Sequence, residues 1–164
     1  MKLNIMKQDD LYNVENLLVF FEYRTLFFLV KSLGKLSAQV EDKMVLFDAW
    51  NNSQVFGLNN LARSYGELYV FNCFNEKLKN LSDSPSKALI KSMMVLFSLS
   101  SFERDLAVYL ENSFISGESC DLIKNEILKI CLMLKDQLIP IVDTIAPPDE
   151  ILGAPFGSSD GQVK

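Results

Sequence analysis

One register governs the last third of the chain. Ile123, Ile127, Cys131, Leu134, Leu138, Ile141 and Ile145 follow one another at steps of three and four residues. That spacing gathers apolar side chains on one face of a helix; a strand, with its period of two, would scatter them over both faces. Three other stretches repeat the pattern. Residues 13–40 place Val14, Leu17, Leu18, Phe21 and Phe28 on one face and Phe20, Phe27 and Val30 on a second, so this helix is expected to touch neighbours on two sides. Residues 52–81 form a stripe of Val55, Leu58, Ala62, Tyr65, Tyr69 and Phe74 that continues past Gly57 and Gly66, each of which weakens a helix by up to about 1 kcal/mol. The segment from Pro85 to about residue 112 is apolar nearly all round (Leu89, Ile90, Met93, Met94, Leu96, Phe97, Leu99, Phe102). Such a helix belongs in the middle of a bundle.

Breaks separate these segments. Ser82-Asp83-Ser84-Pro85-Ser86 is the clearest, with Ser84 suited to cap a helix and Pro85 to begin it. Ser116-Gly117 marks the next turn, a short helical turn is expected over 42–50, and Pro140 predicts a bend inside a fourth helix over 118–145. Beyond Ala146 the prolines Pro147, Pro148 and Pro155 and the run Gly157-Ser158-Ser159-Asp160-Gly161 have little helix-forming power. The expected architecture is all-α: one domain over residues 1–164, a bundle of about four long helices, flexible through residue 12 and extended over 147–164.

Composition then excludes chemistries. The chain has no histidine, which removes Ser-His-Asp and Cys-His nucleophilic catalysis and histidine-bearing metal sites. No metal ligand set is assigned. Cys73, Cys120 and Cys131 lie far apart without C-x-x-C spacing and read as reduced thiols buried in helices. A net charge of −5 argues against a nucleic-acid footprint, which needs clustered positive charge. The most apolar stretch, 17–30, is interrupted by Glu22 and Arg24, so no membrane span is expected. The start, MKLNIMKQDD, lacks the apolar core of a signal peptide, which reads as intracellular.

Few constellations suggest a site. Glu103 and Asp105 stand two apart on a helix, diverge, and read as a solvated face. Asp149 and Glu150 follow two prolines and read as capping residues. Asp143, on the apolar half of the last helix near Pro140, is expected to be partly buried and to need a hydrogen-bond partner. Twelve phenylalanines exceed what a small core needs, so some are expected at a subunit or domain interface. The residues taken alone yield an acidic all-α module without visible catalytic machinery.

Several segments carry a resemblance. They are Asp48-Ala49-Trp50-Asn51, Ala62-Arg63-Ser64-Tyr65, Tyr69-Val70 and Phe74; then Leu96-Phe97 through Phe102-Glu103-Arg104-Asp105-Leu106, Tyr109-Leu110-Glu111 and Ile115-Ser116-Gly117. Within 138–163 they are Ile141-Val142-Asp143, Pro148-Asp149-Glu150-Ile151-Leu152, Ala154-Pro155 and Ser159-Asp160-Gly161-Gln162-Val163. In order and spacing these resemble the C-terminal helical domain of peroxisomal acyl-coenzyme A oxidases, a domain similar to the C-terminal domain of acyl-CoA dehydrogenases. The resemblance implies an enzyme that uses FAD to oxidise the Cα–Cβ bond of a fatty acyl-CoA to a trans-2-enoyl-CoA. Oxygen reoxidises the flavin and yields hydrogen peroxide, in the first step of peroxisomal β-oxidation.

It implies further that this domain packs on flavin-bearing domains in a homodimer. The family's "EG-[DE]-N" type motif, which holds the catalytic glutamate, does not occur in this chain, so no catalytic or cofactor-binding residue is assigned within it. Trp50, Asn51, Asp105, Asp143, Pro148, Asp149, Asp160 and Gly161 are expected to be structural or interface residues. A peroxisomal location follows from the resemblance, although Gln162-Val163-Lys164 is not an SKL-type signal; without the resemblance a cytoplasmic one is expected. The leading expectation is a fragment or truncated gene product of such an oxidase. The alternative is a non-catalytic module that binds a helical partner such as a full-length oxidase. A small-molecule-binding bundle has only the apolar third segment behind it.

Overall fold

A computed structural model describes residues 7–148 and Ile151. Among them there is no strand. A 3-10 helix over Gln8–Tyr12 opens the described chain, with Leu11 buried. Residues 8–12 fall within the stretch expected to be flexible, and they carry this element. Asn13 then adopts extended backbone and its Oδ1 accepts the Glu15 N–H at 2.8 Å, which starts helix α1 (Val14–Glu41). A side-chain cap of that kind stabilises a helix by about 1 kcal/mol.

A tight turn with Lys43 in the left-handed region (φ 62°) leads into α2 (Leu46–Ser53). There the chain departs from the expected elements. α2, one π-helical turn over Gln54–Leu58 and α3 (Asn59–Asn80) run on without a break. The widened turn contains Gly57, where a Cβ would meet Ser32 Oγ of α1 at 3.1 Å. Absence of a side chain at that position lets α1 and the widened turn approach closely.

Helix α4 (Pro85–Arg104) begins as its sequence predicts, with Ser84 Oγ accepting the Lys87 N–H at 3.2 Å and Pro85 in the first turn. It stops at Asp105, and α5 (Leu106–Glu111) follows. Helix α6 (Gly117–Leu134), a 3-10 turn over Lys135–Gln137 and α7 (Leu138–Ile145) replace the single bent helix expected over 118–145. The interruption lies just before Pro140 because proline has no N–H for the Asp136 carbonyl, and its ring crowds that carbonyl. The helix therefore ends one turn early and restarts with Pro140 in its first turn.

The chain divides into two compact units, Met1–Ile130 and Cys131–Lys164. In the first unit α1 is the central element, touching α2, α3, α4, α5 and the opening 3-10 helix. This corrects the expectation that the apolar third segment lies at the centre. α4 buries Met94, Val95, Leu99 and Phe102, while Leu89, Ile90, Met93, Leu96 and Phe97 remain half-buried.

Aromatic rings make the core. Phe20 stacks on Phe102 at 4.6 Å between centroids, Phe102 meets Phe21 edge-on at 4.7 Å, and Phe21 lies 4.9 Å from Phe71. Tyr23 stacks on Phe114 at 3.9 Å, and Tyr109 lies edge-on to Phe20 at 5.1 Å. Such pairs contribute about 0.5–1.5 kcal/mol each beyond the area they bury. Burial pushes the Tyr109 phenol far above its ordinary value, and the neutral hydroxyl donates to the Phe20 carbonyl at 3.3 Å. In the second unit, Leu138, Ile139, Val142 and Ile145 of α7 are exposed.

Candidate functional site

The densest chemistry in the first unit is a cluster of ion pairs around Arg24, which is fully buried on α1. Its Nη1 donates to the Ser101 carbonyl at 2.9 Å and to Asp105 Oδ2 at 3.0 Å. Its Nη2 donates to Glu67 Oε2, and its guanidinium lies 5.3 Å from the Phe21 ring centroid. Arg63 reaches Asp105 Oδ1 at 3.0 Å, and Arg104 reaches Glu67 Oε1 at 2.8 Å. Two carboxylates thus serve three guanidiniums contributed by α1, α3 and the end of α4. Both carboxylates are held in charge-assisted bonds, which suits them to clamping helices rather than to moving protons.

This cluster corrects one expectation. Glu103 is exposed, but Asp105 is buried and points inward to Arg24, so the pair is not a solvated face. The turn between α4 and α5 falls at Asp105 itself. Local spacing could not show this, because the partner is 81 positions away in sequence.

A second buried carboxylate, Glu126 on α6, ties down the start of the described chain. Its Oε1 accepts from Tyr12 Oη at 2.6 Å and from Gln8 Nε2 at 3.1 Å. Burial, and then the bond to Glu126, push the Tyr12 phenol up to about 12.

The remaining expected site residues do not converge. Trp50, on α2, is 48% exposed and borders a groove of about 430 Å³ with Gln54, Val55, Leu58 and Asn59. Asn51 is exposed, and its Oδ1 accepts from Gln54 Nε2 at 3.1 Å. Asp143 is exposed, which overturns the expectation of a partly buried carboxylate: no residue of α7 is buried. Pro148 is exposed and its carbonyl accepts the Ile151 N–H at 2.9 Å. Asp149, Asp160 and Gly161 lie outside the described residues. Cys73 and Cys131 are exposed rather than buried; Cys120 is buried, and burial raises its thiol. Among the described residues no helix is long and apolar enough to cross a membrane, and no three Cys, Asp or Glu side chains cluster to hold a metal ion.

The family model for acyl-CoA oxidase matches residues 13–163. The chain belongs to the acyl-CoA oxidase family. Human peroxisomal acyl-coenzyme A oxidase 3 is 30% identical over 145 residues, which cover 87% of this chain and 21% of the relative. Rat peroxisomal acyl-coenzyme A oxidase 1 is 23% identical over 94% of this chain and 23% of its own length. The fold agrees: acyl-CoA oxidase 1 of Yarrowia lipolytica superposes with a TM-score of 0.78 at 23% identity, covering 96% of this chain and 23% of that one. Acyl-CoA oxidase-1 of Caenorhabditis elegans, solved in complex with FAD and ATP, gives 0.80 at 19% identity over 92% of this chain. The chain therefore spans about a fifth of the length of the acyl-CoA oxidases it matches.

A flavin's pyrophosphate needs cations or free N–H donors. The Trp50 groove presents two amides but no cation for a pyrophosphate. The arginines of the Arg24 cluster are already committed to carboxylates. Neither place fits a flavin pyrophosphate.

Proposed function

We propose that this chain acts as the C-terminal helical domain of an FAD-dependent acyl-CoA oxidase that converts fatty acyl-CoA and oxygen to trans-2-enoyl-CoA and hydrogen peroxide in the peroxisome. On this reading the flavin site and the catalytic base lie on other domains. The chain supports them by packing against them and within a homodimer. The observation that carries the reading is the family match over residues 13–163 by a chain spanning about a fifth of its relatives. Trp50 and Asn51 belong to the packing surface, and Asp105 to the buried clamp around Arg24. Asp143, Pro148, Asp149, Asp160 and Gly161 are assigned to the same structural and interface role.

The test is to purify the 164-residue chain and assay it beside a flavin-bearing acyl-CoA oxidase portion co-expressed with it. The chain alone is expected to show no flavin absorbance and no acyl-CoA-dependent peroxide, and the pair is expected to co-purify with oxidase activity. Peroxide release by the chain alone would overturn the assignment of the chemistry to other domains. A second reading, a non-catalytic module that binds an intact oxidase, is favoured by the exposed aromatic face around Phe47, Trp50 and Phe56. The size of the native polypeptide on a denaturing gel separates the two: a band several-fold above 18.6 kDa fits the domain and a band at that mass fits the module.

A further inference from the structure

Helices α2 and α3 form one rod against α1, and the rod changes register at its π-helical turn. In α3 the buried residues Ser64, Phe71 and Leu78 follow at steps of seven, and Gly57, one step earlier, faces Ser32 of α1. Seven residues are two α-helical turns less about 20°. Carried back unbroken from Gly57, this register would set Ser53, Trp50 and Leu46 against α1, at steps of four, three and four. The structure instead buries Ala49 and Ser53 and leaves Trp50 48% and Leu46 66% exposed. The turn over Gln54–Leu58 accounts for the change. Its Asn59 N–H reaches back five residues to the Gln54 carbonyl, so the turn holds one residue more than an α turn. One residue rotates α2 by about 100°.

The contact held by the π turn balances gains against losses. Ser53 Oγ donates to the Ala49 carbonyl at 2.8 Å and accepts from Gln39 Nε2 at 3.3 Å, and Lys35 Nζ donates to the Asn52 carbonyl at 2.6 Å. Small side chains at Ala49 and Ser53 and none at Gly57 let α1 come close. Against this, Ser32 Oγ and Gln39 Oε1 of α1 are buried with no hydrogen-bond partner among the described residues. An unbonded buried polar group raises the energy of the state that holds it. Trp50 and Leu46 forgo burial in the same register. We propose that the π-helical turn is a register switch. Open as a π turn, it presents Trp50 and Leu46 outward. Closed to an α turn, it rotates α2 and lays both side chains against α1, with Ala49 moved to the edge of the contact. The link at residues 42–45 between α1 and α2 is short and non-helical, so α2 can turn without unfolding α1. The switch decides whether the aromatic face of α2 is displayed or withdrawn. It involves α1 and the rod alone and holds whether or not the acyl-CoA oxidase reading does.

Trp50 is the one tryptophan of the 164-residue chain, so fluorotryptophan incorporated into the full chain reports the register by fluorine NMR. The measurement is made in solution dilute enough for light scattering to show a monomer. Two signals, or one broadened by exchange, are expected for the wild type. Deletion of the exposed Val55 removes the extra residue, so that Ala49, Ser53 and Gly57 face α1 in a plain α-helix. One sharp signal from an exposed tryptophan is expected there. Ala49→Gln is too large for the contact in the π register. It is expected to raise the ratio of inward to outward signal about tenfold and to shift Trp50 emission to the blue. Both variants are expected to keep the circular dichroism of the wild type. A single sharp signal from the wild type overturns the proposal, as do two signals from the deletion variant or an unchanged ratio in Ala49→Gln. Unfolding of either variant overturns it too, because the deletion relieves the widened turn and a second register gives the larger side chain a place.

Discussion

Arg24 shows how a charge can be placed in a core without being a liability. Desolvating a guanidinium costs several kcal/mol, and here two carboxylates, a carbonyl and an aromatic face offset it. Removing one member leaves the others buried and uncompensated. Asp105→Asn is therefore expected to destabilise the fold by about 3 kcal/mol, read from the denaturant midpoint at constant slope. Arg104→Gln, which alters an exposed partner of Glu67, is expected to cost less than about 1 kcal/mol. Equal losses for the two would contradict a clamp centred on Arg24. Tyr12 gives a second prediction, in the alkaline range. Its folded value of about 12 lies above the ordinary 10.0 because the neutral hydroxyl is partly buried and bonded to Glu126. A raised value in the folded state means that the contribution is complete below pH 10 and is lost as pH rises towards 12. The stability difference between the wild type and Tyr12→Phe should thus be constant below that window and fall across it. Neither residue was legible beforehand. Arg24 read only as an interruption of an apolar run, and Tyr12 and Glu126 were not singled out, because the partners lie between 43 and 114 positions away.

Periodicity located helices well and their ends less well, for reasons that differ from helix to helix. The starts at Asn13 and Ser84 follow from local capping chemistry, so sequence sufficed. The ends at Asp105 and Leu134 depend on a tertiary ion pair and on a proline acting one turn upstream, and the stripe of apolar residues runs straight through both. Gly57 and Gly66 were equivalent in the sequence, each a weak point in a continuous stripe, but they differ in space. Nothing lies within 4 Å of a Cβ built at Gly66, whereas at Gly57 it meets Ser32 Oγ at 3.1 Å. Gly66→Ala is accordingly expected to stabilise by about 0.5–1 kcal/mol through helix propensity. Gly57→Ala is expected to show no such gain, because Ser32, itself buried, must give way. Thermal unfolding of the two single variants decides it: a matching rise in both melting temperatures would mean that Gly57 does not set the approach of α1.

The first unit leaves a run of large apolar side chains open between Val45 and Phe56. Val45, Leu46, Phe47, Trp50, Val55 and Phe56 are between 48% and 83% exposed. Trp50 and Val55 line one groove, and Phe47 stands one helical turn before Trp50. The three aromatic side chains alone expose on the order of 400 Å², already within the range of the largest patch on a typical monomer, about 300–600 Å². With Val45, Leu46 and Val55 added, the face approaches the roughly 800 Å² that each partner contributes to a stable interface. The surplus of phenylalanine was visible in the sequence, but which rings lie outside was not: Phe20, Phe21 and Phe47 look alike in an apolar pattern, and only the packing of α1 buries the first two. On the reading proposed above, other domains would cover this face. The charge-introducing variant Phe47→Glu/Phe56→Glu tests this without touching the core. The purified wild-type chain is expected to self-associate and to bind a hydrophobic dye. The variant is expected to run as a monomer by light scattering, to lose most of the dye signal and to unfold at the same denaturant midpoint. A variant that stayed associated would place the sticky surface elsewhere. One with a lowered midpoint would mean that the two rings stabilise the fold itself, and the covering partner would have to be sought on another face.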